Sequence, residues 1–468
     1  MGNCVVKSID TTIVWFRFDL RTADNPALSA AAKIGSVVPV FIWSPDEEDL
    51  NPGAASRWWL HHSLDNFSKS LERIGGRLII KSGKAIRVLK SLVKETNAHA
   101  VYWNRRYEPQ INLRDEIVAT KLKAAGVAVK TFKANLLSEP GEIENRSGLP
   151  YRVFTPFWGN CLKELNPPRP ICSPRSFQVP QKNVSSTRLS ELQLEPTKEW
   201  SNEMRRKWSP GEGGAAQNLS RFIKTSVDNY SQDRNSPDCQ GTSRLSPHLR
   251  FGEIGPRQIW HALKAADDSD WKRSQFLAEL GWREFGYHLL HHFPHTVNEP
   301  LKPSFNRFPW KKSERHLQVW QKGQTGYPLV DAGMRELCAT GWMHNRVRMV
   351  AASFLVKHML IHWRRGAEWF WDTLVDADLA SNTQGWQWTA GCGADAAPYF
   401  RIFNPTIQAK KFDSNGDYIR RWVPELRHLS APEIFEPRIA GRVDLYPQPI
   451  VDHSKARTRA LHAYERIK

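Results

Sequence analysis

The sequence predicts two successive architectures in one chain of 468 residues: a doubly wound α/β domain, then an all-α domain. Short apolar runs alternate with helical stretches in the first part of the chain, and this alternation favours a parallel sheet covered by helices. From about Gly211 onward no convincing strand follows, and helical periodicity takes over. Fourteen of the 20 tryptophans lie from residue 200 onward.

Five segments of the N-terminal part are predicted strands because they are short, apolar and rich in β-branched or aromatic residues. Helical stretches lie between them, for example at Asp65–Ile74 and Lys84–Lys94. No G-x-G-x-x-G motif follows the first strand, so the dinucleotide site of the usual dehydrogenases is not supported. The predicted strands are Thr12–Phe16, Val37–Trp43, Arg77–Lys81, Ala100–Asn104 and Val127–Phe132.

The remaining chain divides into a connector and a helical domain. Residues 136–207 break the alternation, are rich in proline and serine, and are predicted to run over the surface as a long connector. We therefore expect domains at 1–135 and 208–468. The predicted helices of the second domain are Ala215–Ser226, Pro256–Ala265, Trp271–His291, Leu317–Lys322, Ala332–Thr340, His344–Arg364 and Ala367–Thr373.

The chain carries 66 Lys and Arg against 48 Asp and Glu, a formal charge of +18, which predicts a polyanionic partner. Nucleic acid is the first candidate and an anionic membrane the second, with general solubility as the alternative. No apolar run reaches the roughly 18 residues that span a bilayer. The N-terminus lacks a signal-peptide pattern and has Val6 where a myristoylation motif needs Ser or Thr, so we expect a cytoplasmic protein.

The six cysteines are predicted to be reduced thiols. None of them forms a C-x-x-C pair, and their spacing suits neither zinc nor an iron–sulfur cluster. We therefore predict no bound metal.

The segment Gly241–Ser246 combines a glycine, hydroxyl side chains and an arginine. Such a turn can hold a phosphate through its backbone N–H groups and its hydroxyls. The alternative is a helix cap, in which Ser246 begins the helix at Pro247.

A predicted helix presents Glu279, Trp282 and Arg283 on one face, because they are spaced three and four residues apart. An acid, an indole and a guanidinium on an otherwise apolar helix suggest a binding surface. The alternative is an intrahelical Glu279–Arg283 ion pair above a packed tryptophan.

Gly341–Met349 places Asn345 and Met349 on one face, with arginines beside them. The asparagine can bind a base edge, the methionine can pack on a ring and an arginine can bind phosphate. The alternative is a basic amphipathic helix. His344 could serve as a general base, but a histidine satisfied by the fold is the simpler interpretation.

Asp376–Trp388 contains two acids, an asparagine and two tryptophans, followed by a Gly- and Ala-rich stretch. Small residues allow the backbone to approach a flat ligand closely, and the acids could bind ribose hydroxyls or arginines. The two acids could also bind a metal ion together, but no third or fourth ligand lies nearby in the sequence. The tryptophans Trp310, Trp363 and Trp386 are core residues by default, although a row of indoles could also carry electrons.

These segments resemble the photolyase/cryptochrome flavoprotein family over nearly the whole chain. Among its members, class III cyclobutane pyrimidine dimer photolyases are most similar at Ser56–Leu60, Trp369–Leu374 and Gly391–Asp395. The family motifs are Trp15–Arg21, Asp24–Ala27, Gly241–Ser246, Trp282–Phe285, Gly326–Ala332, Trp342–Arg346 and Asp395–Pro405.

The resemblance implies that the helical domain binds FAD. Arg348 and Asp376 would form an ion pair over the isoalloxazine, and Asn382 would face flavin N5. The implied cofactor-binding residues are Tyr230, Thr242, Ser243, Arg244, Leu245, Ser246, Arg348, Asp376, Asp378 and Asn382.

The resemblance also implies light-driven repair of UV-damaged DNA, in which excited reduced FAD donates an electron to a flipped-out dimer and splits it. Glu279, Asn345 and Asn382 would have catalytic roles. Trp386, Trp363 and Trp310 would form a photoreduction chain, in this order outward from the flavin. The implied lesion contacts are Arg234, Glu279, Trp282, Asn345, Arg346, Met349 and Trp388.

A second chromophore, an antenna, is expected in the N-terminal domain, and a folate such as methenyltetrahydrofolate is favoured over a deazaflavin. Class I photolyases carry a glutamate near the position of Ile111, with Gln110 as its neighbour here, so that mode of folate binding is not expected. The protein is expected to be a monomer that does not bind membranes.

Other functions stay open at this point. A cryptochrome without repair activity is disfavoured by Asn382, by the intact set of lesion contacts and by a chain that stops at Lys468 without a long tail. A (6-4) photolyase needs a histidine pair that is not found around His344. A DNA-binding role without catalysis would leave the redox tryptophans unexplained.

Overall fold

The computed structural model describes residues 10–145, 147–180, 183–196, 199–267, 270–396, 400–437 and 446–468. All the predicted site residues lie within these ranges. Val6, and residues 397–399 of the motif Asp395–Pro405, lie outside the described residues.

The N-terminal part is built on a five-stranded parallel sheet in the order β3-β2-β1-β4-β5, which confirms the predicted fold class. The central strand β1 pairs with β2 and β4, so that Thr12 lies between Val37 and Ala100. Each predicted strand is found, with its ends shifted by at most two residues. The strands are β1 Thr11–Phe16, β2 Ser36–Trp43, β3 Ile79–Ser82, β4 Ala100–Asn104 and β5 Ala128–Phe132.

Helices cover both faces of this sheet because alternate side chains of β1 point to opposite sides. Val14 and Phe16 belong to one apolar cluster, and Ile13 and Trp15 belong to another. The helices are α1 Pro26–Ala32, α2 Ala54–Glu72, α3 Ala85–Thr96 and α4 Pro109–Lys123.

The predicted connector is not a structureless segment. It contains α5, Phe154–Glu164, which packs against a long helix of the second domain, and α6, Asn202–Lys207. The prediction was wrong here because Phe154, Phe157 and Trp158 form a buried apolar stripe at helical spacing. The surrounding prolines and serines obscure that stripe.

The remaining helices form the predicted all-α domain. Within the ranges described, no helix combines the length and apolar character needed to cross a bilayer. The helices are α7 Glu212–Thr225, α8 Tyr230–Asp233, α9 Ser246–Arg250, α10 Pro256–Ala266, α11 Gln275–His292, α12 Glu314–Gln321, α13 Pro328–Thr340, α14 Asn345–Ser353, α15 Trp363–Thr373, α16 Leu379–Ala390, α17 Pro405–Phe412, α18 Asp417–Trp422, α19 Ala431–Phe435 and α20 His453–Glu465.

The long helix predicted at His344–Arg364 is two helices. A π-helical turn, Phe354–His358, follows α14, and Leu360 has a left-handed φ of 54° that ends the helix. The ring of His362 then accepts the N–H of Arg364 and caps α15. Ser274 similarly caps α11, so the predicted helix Trp271–His291 begins later than expected.

Candidate functional site

The helix α16 is the centre of the candidate site because it packs against α11, α14 and α15. Its N-terminus carries Asp378 as the capping residue, and Asp376 lies two residues earlier. Both carboxylates are buried. Buried carboxylates need partners, and three neighbouring elements supply them.

The carboxylate of Asp376 joins α9 to α14. Its Oδ2 accepts hydrogen bonds from the Ser246 hydroxyl at 2.6 Å and from Arg348 Nη2 at 2.9 Å. Arg348 Nε donates to the carbonyl of Met343 at 2.7 Å, which fixes the guanidinium. The expected Arg348–Asp376 ion pair is therefore present. The helix-cap alternative for Ser246 is wrong, because Leu245 is the capping residue and the serine hydroxyl binds Asp376.

Asp378 and Asn382 lie one turn apart on the same helix end. Asp378 Oδ1 accepts the Ser381 N–H at 2.8 Å, and its Oδ2 accepts the Tyr287 hydroxyl at 2.5 Å. Burial raises the pKa of Tyr287, and the Asp378 charge adds to this rise. Asn382 Nδ2 donates to the Ala367 carbonyl at 3.0 Å, so Oδ1 is the end of the amide left for a ligand. Tyr287 was not identified from the sequence.

The residues 242–246 form a turn ahead of α9. The Ser243 hydroxyl accepts the N–H of Leu245 at 3.3 Å, and Thr242 is half-buried beside it. Arg244 has a φ of 54° and lies over the Trp342 ring, 4.4 Å from its centroid. A turn with this backbone and a flanking guanidinium suits an anionic group such as phosphate.

Glu279 pairs across helices rather than along its own helix. Arg234 Nη1 lies 2.5 Å from Glu279 Oε1, and Arg234 also lies over the buried ring of Tyr230. Arg283 instead donates to the Asn135 carbonyl at 2.7 Å, so the intrahelical alternative is wrong. Burial raises the pKa of Glu279, whereas Arg234 acts in the opposite direction.

Trp282 presents a flat apolar surface to solvent. One face of its indole lies on Phe154, with the ring centroids 3.8 Å apart and the planes 9° apart. The side chain is still 37% exposed, which is high for tryptophan. Phe154 was missed because it begins α5, inside the predicted connector.

The helix α14 begins with an exposed Asn345, and Met349 follows one turn later. Arg346 donates to Asn235 Oδ1 at 2.5 Å and lies over the Phe412 ring at 4.4 Å. This arginine is committed to protein contacts, and burial lowers its pKa. The helix is therefore not simply a solvated basic face.

Two further side chains are held by the fold. His344 caps α14, since its Nδ1 accepts the Arg346 N–H at 3.2 Å, and burial lowers its pKa to about 3. A histidine that is neutral and satisfied at Nδ1 agrees with the simpler interpretation. Trp388 Nε1 donates to the Asp395 carbonyl at 3.1 Å, which fixes the indole plane.

The three candidate electron-transfer tryptophans are not equally connected. The His362 ring lies 5.5 Å from the Trp363 ring and 5.0 Å from the Trp310 ring, measured between centroids. The buried Trp386 contacts Phe370 at 5.0 Å and Trp320 at 6.2 Å. His362, which was not identified from the sequence, therefore links the outer two tryptophans.

The residues around Asp376 fit a flavin nucleotide. Asp376 Oδ1 is buried and has no hydrogen-bond partner among the described residues, as is also true of His344 Nε2. Unpartnered buried polar atoms are rare in folded proteins and are commonly satisfied by a ligand or water. Asp376 Oδ1 can accept a hydrogen bond from a ligand, and Nε2 of His344 carries the proton because Nδ1 acts as an acceptor.

Comparisons with known proteins agree with this geometry. The family model described as the FAD binding domain of DNA photolyase matches residues 276–466, and the one described as DNA photolyase matches residues 12–175. A deoxyribodipyrimidine photo-lyase of Agrobacterium fabrum is 48% identical over 97% of this chain and 98% of its own length. Cryptochrome-1 of Arabidopsis thaliana is 39% identical over 97% of this chain and 70% of its own length.

A solved structure resembles the whole chain. The crystal structure of a bacterial class III photolyase from Agrobacterium tumefaciens superposes with a TM-score of 0.95 at 47% identity, covering 100% of this chain and 99% of that one. The likeness to class III photolyases is thus confirmed, and FAD binding follows from the matched domain. The chain belongs to the photolyase/cryptochrome family.

Proposed function

We propose that this protein is a deoxyribodipyrimidine photo-lyase that splits cyclobutane pyrimidine dimers in UV-damaged DNA when illuminated. The observation that carries the proposal is the arrangement of α11. This helix exposes the indole of Trp282 and, five residues later, binds Asp378 through Tyr287 at 2.5 Å. A single helix would thereby join a stacking surface to the proposed FAD site.

The lesion would be held by flat and polar side chains. A dimer pairs weakly with its complement, so its extrusion from the duplex costs less than that of normal bases. Trp282 and Trp388 would stack on the extruded bases, and Arg346 and Met349 would line the same surface. Glu279 and the exposed Asn345 would bind base edges. Arg234 would keep the Glu279 carboxylate oriented, since it lies 2.5 Å away.

FAD, when bound, supplies the light-absorbing electron donor. Arg348 and Asp376 would orient it through the pair at 2.9 Å, with Asp376 Oδ1 free to accept a further hydrogen bond. The turn at 242–246 and Tyr230 would bind its phosphate and ribityl portion. Asn382 Oδ1 would face the ring system because Nδ2 is engaged with Ala367.

The tryptophans Trp386, Trp363 and Trp310 would carry electrons between the FAD site and the surface. The contacts of His362 with Trp363 and Trp310 support the outer half of this route. Burial lowers the pKa of His362 to about 4, so its ring is neutral at physiological pH and adds no charge between the two indoles.

The antenna, the oligomeric state and the domain limits remain proposals. A folate in the N-terminal domain is favoured, although Ile111 is fully buried and cannot supply a carboxylate to it. Chromophore extraction and mass spectrometry would identify it. The cytoplasmic location, the monomeric state and the division at 1–135, 136–207 and 208–468 also remain predictions.

The test is a repair assay on purified protein. The protein is chemically reduced, mixed with UV-irradiated oligothymidylate and illuminated with blue light, and the recovery of thymine absorbance is followed. We expect recovery in the light and none in the dark. Light-independent recovery, or no recovery with FAD bound and reduced, would contradict the proposal.

A further inference from the structure

An open cleft of about 720 Å³ lies outside the site described above. One wall is a face of α20, on which Lys455, Arg459, His462 and Arg466 are spaced three or four residues apart and so point the same way. The other wall is formed by Pro309, Lys311 and Leu360.

Hydrogen bonds of the backbone and of one arginine fix the two walls. The N–H of Lys311 donates to the Leu360 carbonyl at 2.7 Å, and Leu360 has a left-handed φ of 54°. Arg459 Nη2 donates to the His358 carbonyl, which attaches α20 to the π-helical turn. The backbone positions of the two walls are therefore set by the fold.

The cleft is strongly cationic. Among the described residues that line it, none is Asp or Glu, whereas four are Lys or Arg. The nearby acids are engaged elsewhere: Asp452 caps α20 by accepting the Lys455 N–H at 2.8 Å, and Glu465 pairs with Lys468 at 3.6 Å. Arg459 Nε is buried without a partner among the described residues. This charge balance favours an anionic ligand.

We propose that the cleft binds a small polyphosphate of the nucleoside di- or triphosphate class. Lysine and arginine are the usual partners of phosphate oxygens, and the exposed hydroxyl of Ser454 adds a donor at the N-terminus of α20. The Thr458 hydroxyl donates to the Ser454 carbonyl at 3.1 Å and can only accept from a ligand. The half-buried ring of Pro309 offers an apolar contact for a base, with the buried Leu360 behind it. Small-molecule sites have volumes of about 300–1,000 Å³, and this cleft is within that range.

The test is calorimetric titration of the FAD-loaded protein with inorganic tripolyphosphate and, separately, with ATP, both in EDTA. We expect both probes to bind. The double variant Lys455→Glu and Arg466→Glu should weaken both by at least about tenfold, since two charge-assisted contacts are reversed. Both side chains are exposed, so folding should be kept, and Lys455→Gln alone provides a milder second variant.

The matched control is Lys121→Glu with Lys123→Glu, two exposed lysines in the last turn of α4. It changes the net charge equally and should leave both affinities within about twofold, because charges beyond a Debye length of about 10 Å are screened at 0.1 M salt. Failure of tripolyphosphate to bind would overturn the proposal. An equal loss of affinity in both double variants would also overturn it. The anion would then be responding to the net charge of the protein or binding at another place.

Discussion

Trp282 and Phe154 lie face to face, with ring centroids 3.8 Å apart and planes 9° apart, although they are 128 residues apart in the sequence. Phe154 covers one face of the indole and leaves the other exposed. A ring supported from behind loses little rotamer freedom when a base stacks on its open face. The pair therefore acts as a preformed stacking platform.

We predict that Trp282→Ala weakens binding of dimer-containing DNA by roughly 5- to 150-fold, because stacking is worth about 1–3 kcal/mol per base. Phe154→Leu should weaken binding severalfold by removing the flat support. Fluorescence anisotropy with a single-dimer oligonucleotide measures both effects. Leu113→Ala, an exposed apolar residue on α4, is the control. Unchanged affinity of Phe154→Leu would show that the support from Phe154 is dispensable.

The sequence predicted the sheet well because each strand has a local signature. Ile13, Val14, Trp15 and Phe16 form a continuous run of β-branched and aromatic residues, which is visible without any tertiary information. Their division between two apolar clusters, one on each face of the sheet, appears only in the structure. The helix that begins at Phe154 could not be recognised in the same way, because the surrounding prolines and serines obscure its apolar pattern. Its role depends on a tertiary contact with α11, which spacing along the chain cannot show.

Part of the candidate site could also be predicted from the sequence, and part of it depends on contacts that only the structure shows. The pairing of Arg348 with Asp376 was implied by the family motifs and is present. The Arg234–Glu279 pair joins α8 to α11, so the helical spacing of Glu279 and Arg283 pointed to the wrong partner. His362 was missed because a helix was predicted to run through it, whereas it caps α15.

Trp386→Phe should abolish light-driven reduction of oxidised FAD while sparing repair by chemically reduced protein. Phenylalanine keeps the apolar packing but is much harder to oxidise than indole. Absorbance near 450 nm during illumination measures the first effect, and the repair assay measures the second. Trp260→Phe, which changes a buried ring in another apolar cluster, should leave both unchanged. Normal photoreduction in Trp386→Phe would exclude this residue as the inner relay.

The folded protein should lose stability as the pH falls below about 6.5, because three buried histidines and the half-buried His362 resist protonation. Burial lowers the pKa of His344 and His358 to about 3 and that of His288 and His362 to about 4. Between these values and 6.5 the unfolded chain binds more protons than the folded one, so stability rises with pH in that window. For His344 alone, the free energy of unfolding should be about 2 kcal/mol lower at pH 5 than at pH 7.

Urea unfolding of the FAD-loaded protein at pH 7 and pH 5 measures this loss. His344→Asn should reduce the difference between the two pH values, since asparagine can cap α14 but does not titrate. His99→Asn changes an exposed histidine and should leave the difference unchanged. An identical pH dependence in wild type and His344→Asn would contradict the assignment.

Gly366→Ala should disturb Trp386 from the neighbouring helix. A methyl group at Gly366 would overlap the outer edge of the Trp386 ring and Leu355, so α15 and α16 approach this closely only because position 366 lacks a side chain. Overpacking of this kind typically costs about 1–3 kcal/mol. The displaced indole would also lose its contacts with Phe370 and Trp320.

Gly385 provides a matched control, because it lies on α16 next to Trp386 and a methyl group there would meet open space. Gly385→Ala should stabilise the protein by about 0.5–1 kcal/mol, since alanine restricts the unfolded chain and favours helix. We therefore expect the two variants to shift the free energy of unfolding in opposite directions in urea. Only Gly366→Ala should also slow the photoreduction of FAD. Stabilisation by Gly366→Ala, or unchanged photoreduction in that variant, would mean that the contact between α15 and α16 does not position Trp386.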